Sequence, residues 1–405
     1  MKKRVLTILG VSMLVSLTAV SCTLDTSRDE GGVVINNPTN NTPVLSGTVI
    51  NGTFTSDILI KKGNYTLEGI AKVNPGVTVT FEPGTTITAN SNVVSAFIVL
   101  KGGKVKMEGT ASEPIVWTSD NKKPGDWGGI TLYGDAPIKA NGGGTTATSE
   151  DGLSQIYGGN NPTDNSGSLK FVRVEYAGRK IGEGSSEYNS FTMYSVGSGT
   201  VLENLVAYKG TDDGIEFFGG TVSASNIIIY GNTDDSFDWQ DGWSGQANYN
   251  WYAYQTGVAN FGMEIEASNN AETTPPKVNG ITLIRAAGTV PEKAGSNEIS
   301  AIQFKKHGNG IFNNVYAEGY KNTGNQQAYG ILIQDSVTES EQLAKGKIKV
   351  TPINYLNSDN LGKYGYAVAS PNPLTFTSDA KVGKLSFTSG AWATVDGIDL
   401  LAPLK

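Results

Sequence analysis

Asn204-Leu-Val-Ala-Tyr-Lys-Gly-Thr-Asp-Asp-Gly-Ile-Glu-Phe-Phe218 and Asn226-Ile-Ile-Ile-Tyr-Gly-Asn-Thr-Asp-Asp-Ser-Phe-Asp-Trp-Gln240 lie 22 residues apart, and Asn, Tyr, Thr and both Asp coincide on alignment. A repeat of that length is about one coil of a right-handed parallel β-helix, in which each coil buries its apolar face only by stacking on the next. The rest of the chain reads in the same terms. Short β-branched or aromatic runs bounded by Gly, Asn, Asp and Pro recur, among them Val77–Phe81, Phe97–Leu100, Ile115–Thr118, Gly129–Tyr133, Phe171–Tyr176 and Ile281–Ile284. Beyond the first residues no stretch keeps a 3.6-residue apolar period. The expectation is an all-β chain, a right-handed parallel β-helix with loop insertions over residues 46–336. Residues 337–405, with Asn372–Thr377 and Leu385–Thr388 as β-like runs, are expected to be closing coils, a cap on the open end or a small add-on.

The N-terminus carries a different message. Lys2, Lys3 and Arg4 precede an uncharged apolar run from Val5 to Ser21, the pattern of a secretory signal over residues 1–21. Leu17-Thr-Ala-Val-Ser-Cys22 resembles a bacterial lipobox, which implies lipid on Cys22, the only cysteine of 405 residues. A lone thiol in an exported chain has no internal disulfide partner, which strengthens that reading. Residues 22–45 are polar and rich in Asn and Pro, and so are expected to form a flexible tether. Asp25, Asp29 and Glu30 resemble the acidic signal of some Bacteroidota surface lipoproteins; a merely solvated tether fits equally. The expected location is the outer membrane, facing the cell surface or the periplasm, with lipid as the membrane contact.

Composition narrows the function. Net charge is -7, and removal of the basic leader makes the remainder more acidic, so nucleic acid is not an expected partner. One histidine and one cysteine exclude a disulfide-stapled fold and a histidine-built metal site. No Gly-x-Ser-x-Gly elbow or phosphate-binding loop is present.

Gly102–Ser119, Pro124–Ile130, Tyr157–Asn161, Val172–Gly178 and Gly210–Gly220 together resemble a pectin-lyase-like β-helix family found among Bacteroidota surface lipoproteins. The resemblance covers about residues 75–335 and implies the fold; it implies little about activity, because this fold hosts many functions.

The strongest chemical feature is the pair of acidic turns, Asp212, Asp213 and Glu216 beneath Asp234, Asp235 and Asp238. Residues one coil apart sit about 4.8 Å from each other, so these six carboxylates repel unless a cation, protons or water intervene. Oxygen ligands alone favour Ca²⁺. The plainer reading, which stands ahead of calcium, is turn capping by Asp through backbone N–H groups; a catalytic carboxylate cluster is the third. For catalysis, Asp213 and Asp235 resemble the aspartates of polygalacturonase-type β-helices and His307-Gly308 their His-Gly element. The Arg-x-Lys expected after that histidine is absent; Lys305 and Lys306 precede it instead. A lyase would need an Arg or Lys base, for which Arg285 and Lys305 are the nominees. Trp239, Trp243, Trp251 and Tyr252 are candidate stacking faces for sugar rings, with core packing as the alternative. The function expected is a glycan-binding or protein-binding module at the cell envelope, Ca²⁺-dependent and non-catalytic. The alternatives are a lyase or glycoside hydrolase acting on uronate-containing glycan, and a structural surface component.

Overall fold

The computed structural model describes residues 42–182, 187–360 and 378–405, with the backbone of two further strands at Lys363–Gly365 and Leu374–Thr375. The signal-like segment, Cys22, the tether as far as residue 41 and most of Asn372–Thr377 lie outside the described residues.

Parallel strands stack into two long sheets. One runs through Thr86–Ala89, Ile115–Ser119, Gly167–Glu175, Val201–Tyr208, Ala224–Tyr230, Asn248–Gln255, Lys277–Arg285 and Gly310–Glu318; the other runs through Ala96–Val99, Ile130–Tyr133, Phe191–Tyr194, Ile215–Phe218, Phe237–Gln240, Met263–Ile265, Ile302–Phe304 and Ile331–Ile333. Successive strands of one sheet come from successive coils, which makes the molecule a parallel β-helix. The 22-residue repeat is one coil: Leu205 pairs with Ile227, Tyr208 with Tyr230 and Glu216 with Asp238.

Alternation along each strand decides what lies inside. In Phe237-Asp-Trp-Gln240, Phe237 and Trp239 point into the coil while Asp238 and Gln240 point out. Phe217, Phe237, Trp239, Trp243 and Trp251 therefore stack within the core, with ring centroids 4.3 Å apart for Phe217 and Trp243 and 4.7 Å for Phe237 and Trp251.

The repeated asparagine has a backbone role. Asn204, Asn226, Asn250 and Asn314 occupy equivalent corners of their coils with φ of 54° to 57°, and Gly280 holds the same place in another coil. Asn adopts this left-handed conformation more readily than other side chains, apart from glycine. Between two of these corners Asn250 Nδ2 donates to Asn226 Oδ1 at 2.9 Å.

Gly214, beside the acidic turn, is required for a different reason. A Cβ there would stand 2.3 Å from Ile229 Cγ2 and 2.6 Å from the Ser236 carbonyl oxygen of the next coil. Gly214→Ala is expected to destabilise by about 1–3 kcal/mol through overpacking, read as a lower urea midpoint at unchanged slope.

Two segments cover the outer faces. The insertion between Tyr133 and Gly167 lays Tyr157 over an outward ladder of Tyr133, Tyr194 and Phe218, whose stacked rings lie 4.8 Å and 4.3 Å apart. Residues 378–405 run back along the other sheet, where Trp392, Val395, Leu400 and Leu401 pack on Tyr176, Val206, Tyr208, Ile228 and Tyr252. Leu385–Thr388, expected to be β-like, forms no strand. Its backbone bonds a neighbouring side chain: the Leu385 N–H donates to Thr282 Oγ1 at 3.0 Å.

Candidate functional site

The coil turns bring the acidic residues together on one outer face. Glu216, Asp238 and Glu264 are paired neighbours on three consecutive strands, each the outward member of an apolar-acid-apolar triplet: Ile215-Glu-Phe, Phe237-Asp-Trp and Met263-Glu-Ile. Asp212, Asp213, Asp234 and Asp235 enter from the turns that precede two of those strands. Together they line a hollow of about 450 Å³, whose lining also includes Glu150, Glu187, Glu292, Glu298, Lys293 and Lys305.

The side chains are held in place but incompletely paired. Asp213 Oδ1 accepts the Asp235 N–H at 3.0 Å, and Asp235 Oδ1 accepts the Phe261 N–H at 2.6 Å. Each of these aspartates thus caps the turn of the next coil with one oxygen. Glu216 accepts from Asn189 Nδ2 at 2.6 Å and from Gln240 Nε2 at 3.0 Å, while Asn260 donates to Asp234. Asp238 differs: only 9 % exposed, it has an Oδ1 that is sealed from water and accepts no hydrogen bond.

Burial pushes the carboxyls of Asp213, Glu216, Asp235 and Asp238 well above the usual carboxylate range, and the negative charges around them push the same way. Asp234 is pushed up to about 7, again chiefly by burial, with the Asn260 bond opposing. Lys305 bridges to Glu264 and stands 3.7 Å from Glu266; burial works against its charge, but those carboxylates and Asp238 outweigh it and hold the ammonium protonated.

Three overlapping triads have one oxygen from each member within 4.8 Å of the others: Asp212, Asp213 and Asp234; Asp213, Glu216 and Asp238; Asp235, Asp238 and Glu264. A cation that takes oxygen at about 2.3–2.6 Å has ligands spanning up to about twice that distance, so each triad fits around one ion. The all-oxygen donor set suits a hard cation such as Ca²⁺.

A family described as the pectate-lyase like beta helix domain matches residues 52–393. The chain belongs to that family. Among solved structures, this β-helix domain is similar to the crystal structure of the Dettilon tailspike protein (gp208), at 11 % identity and a TM-score of 0.24 over 74 % of this chain and 62 % of that one. The chain thus spans less than two thirds of the tailspike's length. No curated protein matches the sequence.

The remaining candidates fall elsewhere. Trp239, Trp243, Trp251 and Tyr252 are each at most 1 % exposed, which removes them as stacking faces for a sugar. The first three fill the coil interior, and Tyr252 points outward only to be covered by the C-terminal segment, with its hydroxyl donating to the Leu400 carbonyl at 3.3 Å. His307 sits at a coil corner with φ 66°, its N–H donating to Thr338 Oγ1, and it is not among the residues lining the hollow. Arg285 is 4 % exposed and holds the carbonyls of Ala259 and Asn260, so it has no access to a substrate as a base. Of the two nominees only Lys305 reaches the site. Glu264 was missed. Its signal was the triplet pattern, obscured because a longer turn stretches the 22-residue spacing to 26 between Asp238 and Glu264.

Proposed function

We propose that this β-helix domain is a lipid-anchored binding module of the cell envelope whose ligand site is the acidic hollow loaded with Ca²⁺. Its partner is an anionic glycan or an acidic surface group that completes the cation's coordination. One observation carries the reading: overlapping carboxylate triads converge on a groove while Asp238 stays buried with an unpartnered oxygen, an arrangement that is costly unless a cation supplies the missing interaction. The Cys22 context supports export and attachment at the outer membrane, facing the cell surface.

Calorimetric titration of the chain with Ca²⁺ tests the first step, and a glycan array with and without chelator tests the second. Saturable binding and uronate-glycan hits that vanish in chelator are expected. Absence of any Ca²⁺ heat would sink the reading; Ca²⁺ binding with a blank array would leave a structural surface role in its place. The anchor has its own check. Cys22→Ser is expected to move the protein from the membrane fraction to the soluble fraction with its melting temperature unchanged, and a wild type lacking acyl mass would refute lipidation.

A second reading, cleavage of uronate-containing glycan by a hydrolase or lyase, is favoured by Asp234. A carboxyl near 7 serves as acid or base at neutral pH. It predicts reducing-end release from a polyuronate by the wild type and at least about a hundredfold less by Asp234→Asn. No release by the wild type excludes it.

A further inference from the structure

We infer that the hollow takes two divalent cations side by side, bridged by the Asp238 carboxylate. This rests on the cation reading above and adds the number of ions and the way they are joined.

Asp238 belongs to two of the three triads, with Asp213 and Glu216 on one side and with Asp235 and Glu264 on the other. Its neighbours each have an oxygen already engaged. Asp213 and Asp235 each hold a backbone N–H, Glu216 holds two side-chain amides, and Glu264 holds Lys305. Among the described residues Asp238 has none of these ties, and its Oδ1 is closed to water as well. A carboxylate that is buried among like charges, free of donors and placed between two ligand sets is suited to give one oxygen to each of two ions.

Charge points to the same number. The two triads that share Asp238 contain five carboxylates, and among the described residues Lys305 is the one basic side chain bonded to any of them. Two divalent cations together with that ammonium neutralise the five, whereas a single ion leaves a residual double negative charge in a mostly buried site. Lys305 is paired with Glu264 and therefore competes with the ion on that side. Asp212 and Asp234 lie outside this pair, half-buried at the turn.

The number is read directly by equilibrium dialysis of the purified full-length chain against Ca²⁺. The wild type is expected to bind two ions per chain. Asp238→Asn is expected to weaken both by at least about tenfold, because it removes a ligand from each. Glu203→Gln, on the other sheet and outside the hollow, keeps two, and Lys305→Met tightens the weaker one. In chelator, Asp238→Asn should melt no lower than the wild type, since one negative charge has left a crowded site; this separates lost ligation from lost folding. Should that variant fail to fold, Mn²⁺ in the wild type decides, because two bridged ions give a spin-coupled resonance spectrum and two separated ones do not. One ion per chain, or two uncoupled Mn²⁺ ions, overturns the inference and leaves the single-cation reading standing. No bound ion at all removes both.

Discussion

Trp392→Ala is expected to lower the stability of the β-helix by about 3–5 kcal/mol, the cost of removing a buried tryptophan and leaving its cavity. The reason lies in what the C-terminal segment crosses. Starting at Asp379, whose N–H donates to the Ile353 carbonyl, it passes Asn354 through Val382, Glu318 through Lys384, Thr282 through Leu385 and Tyr252 through Phe387, and it reaches the Ala111 carbonyl through the Trp392 N–H. One short stretch thus ties coils that are not nearest neighbours of one another. Trp392 is its largest buried anchor: 1 % exposed, edge-on to Phe171 with centroids 5.5 Å apart, and donating its indole N–H to the Thr388 carbonyl at 2.9 Å. The backbone around it is held by Arg173, whose guanidinium donates to the Ala391 carbonyl. Solenoids gain stability by adding neighbour interfaces, so a strap that spans many coils raises the cooperativity of the whole. Urea unfolding followed by tryptophan fluorescence should show a lower midpoint, with a less cooperative transition as coils come apart in groups. A midpoint within experimental error of the wild type would show that the segment lies on the helix without supporting it.

How much of this was legible follows from particular residues. The spacing of Asn204 to Asn226 carried the fold, because a coil must put its left-handed corner, its turn and its outward acid at the same place each time. The same period placed Asp213 beside Asp235 and Glu216 beside Asp238, as the structure does. Two things resisted. Assigning both Asp238 and Trp239 to an exposed site conflicts with a period of two: once Asp238 faces out with Glu216, Trp239 must face in. That conflict was visible in the sequence. The covering of Tyr252 was not, since its partner Leu400 lies 148 residues away in a segment that repeats nothing. The turn alternative and the ligand alternative for the aspartates also prove compatible. Asp213 and Asp235 each use one oxygen to cap a turn, and a strand pattern cannot report how two oxygens of one side chain divide their duties.

The acidic hollow leads to the second large effect, a stability expected to fall with rising pH in chelator and to be held level by calcium. Consider the chain in chelator. The buried carboxyls have folded-state pKa values above those of the unfolded chain, so the native state holds more protons across the window between them. Their contribution to stability is fully present below the unfolded value near 4 and is lost as pH rises through the folded value, which for Asp234 is about 7. The melting temperature in chelator is therefore expected to fall from pH 5 to pH 8. Carboxylates with lowered values, such as Asp399 beside Lys405 and Glu318 beside Tyr316 and Lys384, act only at the acid end and do not mask the trend in this window. With the proposed Ca²⁺ load the fall is expected to vanish, because cation-bound carboxylates in the folded state and free ones in the unfolded state both carry almost no protons in this window. An ion that binds the ionised groups gains affinity as protons leave, and under the proposed loading a free concentration of about a thousand times Kd would add about 4 kcal/mol to the folded state. Melts at pH 5, 6, 7 and 8 should give calcium and chelator curves that nearly meet at the acid end and separate by several degrees at the alkaline end. Flat and superimposed curves would mean that the carboxyls neither bind the ion nor hold protons in the fold, and that solvent alone screens the stacked aspartates. The closing experiment uses Asp238→Asn, which removes a charge that proton or cation must otherwise neutralise. It is expected to flatten the chelator curve and to shrink the calcium gap in the same protein, a pair of changes that no purely structural role for this aspartate produces.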